Sequence, residues 1–124
     1  MTVAEDIPEK IAAVFIEAKK AHAVGAETAA LLAARTALIR TQREQDVSSI
    51  KELADAGKIT PLLYRQADEV RLWANVTAHE DIQEDTPEPE DVSQLLEYLE
   101  LLFDTLYVQP AKLAKLSERR TNLN

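Results

Sequence analysis

Thr60-Pro61-Leu62-Leu63-Tyr64-Arg65-Gln66-Ala67-Asp68-Glu69-Val70-Arg71-Leu72-Trp73-Ala74-Asn75-Val76-Thr77-Ala78-His79 is the stretch that decides the fold class. Thr60 can cap a helix, and Pro61 then takes the first helical position, where its missing N–H costs nothing. Leu63, Ala67, Val70, Trp73 and Ala74 follow at helical spacing, so one apolar face turns inward. Arg71, Asn75 and His79 stand four residues apart and share one stripe of that helix. A cation, an amide and an imidazole in one stripe can hold and protonate a phosphate ester. The nearby helix C-terminus would raise the imidazole's affinity for a proton. The same stripe is equally the polar end of an ordinary solvated helix.

Helical periodicity continues on both sides of this segment. With two glycines and almost no alternating β-branched runs, the chain has little material for sheet. Asp6 and Pro8 start a first helix, in which Ile11, Val14, Phe15 and Ala18 recur at helical spacing and Gly25 is the stop. A second, alanine-rich helix is predicted from Glu27 to Gln45, with Leu31, Ala34, Leu38 and Ile39 inward. Its small side chains permit close helix approach, which places it centrally. Ser48 or Ser49 opens a short third helix carrying Ile50, Leu53 and Ala54, ended by Gly57. The fold class is therefore all-α, a single four- to five-helix bundle.

Composition narrows the functional classes. A chain of 124 residues makes one domain with one core. It holds no cysteine, which excludes disulfides and thiolate metal sites. His22 and His79 lie far apart in sequence, so no metal is expected. No cofactor is expected either, since glycine-rich phosphate loops are absent. No basic segment followed by an apolar one opens the chain, and no run approaches the ~20 apolar residues of a membrane span. The expectation is a cytoplasmic protein with no membrane partner. A net charge of −8 disfavours non-specific binding of nucleic acid by the whole surface, though not by a local basic pocket.

The segment from Glu80 to Asp91 holds seven acidic side chains and two prolines and reads as a loop. It is either a solvated connection or an acidic lid beside His79. Glu90 or Asp91 opens a fifth helix, where Val92, Leu95, Leu96, Leu99, Leu102, Phe103, Leu106 and Tyr107 form a broad apolar stripe. Its width exceeds the needs of one core and points to a second subunit. Pro110 interrupts this helix. The domain is accordingly read as residues 1–110, with 111–124 a basic C-terminal tail carrying Lys112, Lys115, Arg119 and Arg120.

Several of these segments occur in a familiar order. They are Ile7-Pro8 with Glu17-Ala18, Ala29-Ala30 leading to Ala34-Arg35, Ile50 to Gly57-Lys58-Ile59, then Arg71, Asn75 and His79, and finally Leu95–Tyr107 with Pro110. Together they resemble the bacterial domain-of-unknown-function family 4145, placed in the HEPN superfamily of small helical bundles. The resemblance covers nearly the whole chain, and Arg-x-x-x-Asn-x-x-x-His is its most specific part. It implies a bundle that forms homodimers. It also implies RNA as a partner, because many HEPN proteins are metal-independent endoribonucleases in stress, toxin–antitoxin or phage-defence settings. By that resemblance Arg71, Asn75 and His79 are the candidate catalytic residues, with Arg35 and Arg71 binding RNA. Histidine would move a proton at the 2′-hydroxyl or leaving oxygen, and arginine would hold the phosphate. The internal 2′-hydroxyl nucleophile would confine the route to RNA.

Two departures from the ribonuclease pattern stand out. The pattern places arginine directly before the polar residue, and here that place is Ala74. Arg71 lies further back, yet eight residues at about 100° each leave it only about 80° from His79 on a helix. The acidic residue that often follows the helix-two arginine has Ile39 as its nearest counterpart. Two readings follow: an RNA-binding protein or ribonuclease, and a non-catalytic dimerisation or protein-interaction module. In the second, the acidic loop or helix five meets the partner.

Overall fold

The computed structural model describes residues 3–78 and 87–123 of the chain. They form α1 (Glu9–Ala23), α2 (Glu27–Glu44), α3 (Ile50–Asp55), α4 (Pro61–Ala78), α5 (Pro89–Phe103), a π-turn (Asp104–Val108) and α6 (Gln109–Thr121). The all-α expectation holds: α1 to α5 pack together, and no strand occurs among the described residues. No helix there is long and apolar enough to cross a membrane. His79 and the acidic run through residue 86 lie outside the described residues, and the idea of a lid goes with them.

Local chemistry sets the helix ends. The Thr60 hydroxyl accepts the Leu63 N–H at 3.0 Å, so the cap ahead of Pro61 forms as expected. Glu52 reaches back to Ser48, taking its N–H at 2.9 Å and its hydroxyl at 2.7 Å, which fixes the first turn of α3. α1 ends at Gly25, where φ is +78°. There the Ala26 N–H bonds the Ala21 carbonyl and the Gly25 N–H bonds that of His22, a Schellman closure. Gly57 closes α3 in the same way.

α2 ends in a third such closure, with the Val47 N–H on the Gln42 carbonyl and the Asp46 N–H on that of Arg43. Here the left-handed position is filled by Asp46, at φ 55°. A side chain in this region carries a steric cost that glycine avoids. Asp46→Gly is therefore expected to stabilise the fold by about 1 kcal/mol, or a thermal midpoint some ~4 °C higher. A thermal melt in which the variant unfolds at or below the parent's midpoint contradicts this.

α2 is the central helix, packed on α1, α4 and α5. Ala30, Ala34 and Ala37 are fully buried with Leu31 and Leu38, so backbones approach closely along its inner face. Ile39, expected inward, is only half-buried, because Thr41 completes that arc instead. The buried Thr41 hydroxyl donates to the Ala37 carbonyl at 2.8 Å, so it is satisfied within its own helix. Phe15 of α1 meets Phe103 of α5 edge-to-face, with centroids 5.1 Å apart.

The helix begun at Pro89 does not stop at Pro110. A proline there has no N–H for the Leu106 carbonyl, and its ring would crowd that carbonyl in an α-turn. The chain widens instead into the π-turn, where the Gln109 N–H bonds the Asp104 carbonyl five residues back. α6 then continues to Thr121, packed on the π-turn and burying no residue of its own.

Candidate functional site

α4 sets Arg71 and Asn75 one turn apart, both exposed, so these two members of the expected stripe share a face. The stripe's third member, His79, falls outside the described residues. Arg35 is half-buried on α2 and makes no hydrogen bond or ion pair among the described residues that joins it to Arg71 or Asn75.

The Arg71 guanidinium is engaged from its own helix. Its Nε donates to Asp68 Oδ1 at 2.8 Å and its Nη2 to Oδ2 at 3.1 Å. This is a bidentate fork on a carboxylate, the geometry the same group would offer a phosphate. The hydrogen bond to Asp68 raises the guanidinium's pKa above its ordinary value, with the charge attraction adding to it. The pair is partly exposed, so a competing anion could displace Asp68 at little cost. Leu72 and Val76 flank the stripe and are 42% and 45% exposed, which makes the face mixed rather than basic.

Ala74, where the ribonuclease pattern has arginine, is 0% exposed. It stands on the inward side of α4, away from Arg71 and Asn75. The departure is thus more than a change of side chain, since that position has no room for a cation.

Sequence reasoning missed a different polar pair. His22 Nδ1 and Glu27 Oε2 lie 2.8 Å apart across the Gly25 turn, with Glu27 almost wholly buried. The pair ties the end of α1 to the start of α2. His22 also lines a shallow groove between α1 and α5, with Lys19 and Ala23 on one side and Ser93, Leu96, Glu97 and Glu100 on the other. The groove runs on past Pro89, Glu90 and Gln94. No helical spacing relates residues 22 and 27, so only the turn brings them together.

Tyr107 carries a second unexpected feature. Its hydroxyl is buried without a hydrogen-bond partner. Glu44 and Gln45 lie beside it, but neither meets hydrogen-bonding geometry. Burial pushes the phenol's pKa well above the ordinary tyrosine range. Among the described residues, no three histidine, aspartate or glutamate side chains group as metal ligands.

Comparison with curated proteins and with solved structures gives no match. A family model described as a domain of unknown function (DUF4145) matches residues 16–119, from the second turn of α1 to the last turn of α6, and the chain belongs to that family.

Proposed function

We propose that the chain is a non-catalytic interaction module, the partner being a protein rather than RNA. The observation that carries this reading is α6. It is a helix of 13 residues that buries none of them and holds Leu113 and Leu116 at 65% and 58% exposure. An isolated helix of that length is marginal in water, and helices gain most of their stability from packing an amphipathic face. A helix kept outside its own core while carrying leucines is a helix prepared for another surface. The closed Arg71–Asp68 fork, the buried Ala74 and the net charge of −8 all lean the same way.

The second reading is a HEPN-like RNA-binding protein or metal-independent endoribonuclease. Its support is the shared exposed face of Arg71 and Asn75 on α4. In that case the phosphate would replace Asp68 on the arginine fork, and His79 would move the proton.

Incubating the pure protein with mixed RNAs in EDTA at low salt separates the two. The interaction-module reading expects neither binding nor cleavage, with His79→Ala indistinguishable from the parent. Cleavage by the parent that disappears in His79→Ala overturns it. RNA binding that weakens and loses salt dependence in Arg71→Ala overturns it as well, because one phosphate contact would have been removed.

A further inference from the structure

From Leu72 to Ala111 the sequence holds ten carboxylates and no lysine or arginine. α5 lies wholly within that span, and α4 ends within it. Where the two helices meet, a crevice of about 230 Å³ opens between Glu69 and Trp73 of α4 and Asp91, Gln94, Leu95 and Tyr98 of α5. Helical spacing builds it. Glu69 stands one turn before Trp73, and Asp91, Gln94 and Tyr98 recur at three and four residues along one face of α5. Leu95 belongs to the core, and Trp73 and Tyr98 pack against that core half-buried.

The faces of both rings attract cations, tryptophan the more strongly. Among the described residues no cation of the chain stands over either ring, although Lys19 lies over Phe15 at 4.8 Å from its centroid. Neither Glu69 nor Asp91 forms an ion pair there. Gln94 donates from Nε2 to the Tyr98 hydroxyl at 2.9 Å, which steadies the Tyr98 side chain and leaves the amide oxygen as an acceptor. The crevice thus offers two aromatic rings, two carboxylates and an amide oxygen, with no positive group among its lining residues. This set discriminates among cations. A metal ion wants several oxygen or nitrogen ligands, and no three histidine, aspartate or glutamate side chains gather among the described residues. A quaternary ammonium has no N–H for the three acceptors. A lysine ammonium is a strongly hydrated point charge. A guanidinium sheds water more readily, lies flat on a ring and donates in its own plane.

We infer that this crevice takes an arginine side chain from a partner protein, the guanidinium against Trp73 and its N–H groups directed to Glu69, Asp91 and the Gln94 oxygen. The inference rests on the interaction-module reading and gives it a recognition site in which α6 takes no part. Charge selects the source of the guanidinium. Free arginine would bring its α-carboxylate to an acidic surface with nothing positive to receive it, whereas an arginine inside a chain carries none. The ten carboxylates between Leu72 and Ala111 draw such a cationic segment to this side of the bundle.

Trp73 is the single tryptophan, so its fluorescence reports on the crevice directly. The probe is an acetylated and amidated Gly-Arg-Gly peptide, titrated into the full chain at low salt. A saturable change in emission is expected, with a Kd of about 1 mM. The citrulline counterpart, which keeps the shape and loses the charge, should give none. The lysine counterpart and free arginine should each bind about fivefold more weakly. Tyr98→Leu, and separately Glu69→Gln with Asp91→Asn, should weaken binding about tenfold. Glu97→Gln, on α5 but outside the crevice, should stay within about twofold of the parent. Thermal melts by circular dichroism show which variants are folded. If Tyr98→Leu is not, the near-isosteric carboxylate pair carries the test. An emission that ignores the arginine peptide overturns the inference, as does a citrulline or lysine peptide that binds equally well. So does a folded Glu69→Gln/Asp91→Asn protein that binds as the parent does. Free arginine binding as tightly as the peptide overturns the assignment to a protein partner. Each of these results leaves α6 and the interaction-module reading standing, whereas cleavage of RNA overturns that reading without touching the crevice.

Discussion

Arginine at position 74 is expected to unfold the bundle rather than produce a ribonuclease. The substitution places the cation directly before Asn75, as the ribonuclease pattern of the HEPN resemblance requires. Ala74 is 0% exposed, however, on the inward side of α4, which packs against α2 and α5. Overfilling a packed site costs about 1–3 kcal/mol. An unpaired buried charge adds several kcal/mol, even after the side chain bends toward water. Together these approach the whole stability of a small domain, about 5–15 kcal/mol. Ala74→Arg should therefore lose at least about 4 kcal/mol, with a thermal midpoint lower by ~15 °C or more, or show no cooperative transition. Ala74→Ser is the matched control, small and expected to stay folded. An Ala74→Arg protein that melts with the parent would mean that α4 can turn this position outward. That would reopen the catalytic reading of Arg71 and Asn75.

The same contrast shows what could be read from the sequence and what could not. Thr60-Pro61, Gly25 and Gly57 each act through their own backbone or the next turn, so capping chemistry alone located those helix ends. The inward residues of α4 and α5 followed from periodicity, because each helix buries a single continuous stripe. The third stop, at Asp46, carried no glycine to mark it. Ile39 was expected inside because it is large and adjacent to Leu38, yet α2 buries the arc through Ala34, Ala37, Leu38 and Thr41. The π-turn was half legible. Pro110 signalled a disturbance, but whether a helix ends there or widens and continues depends on the packing of its neighbours. For the candidate site, spacing placed Arg71 and Asn75 on one face. It did not reveal that Asp68, three residues earlier, closes on the guanidinium. The His22–Glu27 pair depends on the path of a turn, which no periodicity encodes.

Phe103→Ala should bring the other large loss, about 3–5 kcal/mol, the usual cost of removing a fully buried aromatic ring. Phe103 is the last residue of α5 and meets Phe15 edge-to-face at 5.1 Å, so it fastens the long helix to α1 just before the π-turn. Phe15→Ala should cost a similar amount, since Phe15 is equally buried. The double variant should lose about 0.5–1.5 kcal/mol less than the sum of the two, the part that belongs to the ring pair itself. Urea unfolding of the parent, both single variants and the double variant measures each quantity. A loss below about 1 kcal/mol for Phe103→Ala would mean that the end of α5 is not held by the core. The consequence reaches the proposed interface, because α6 has no packing of its own that fixes its direction. Its direction comes from the anchored end of α5 through the π-turn.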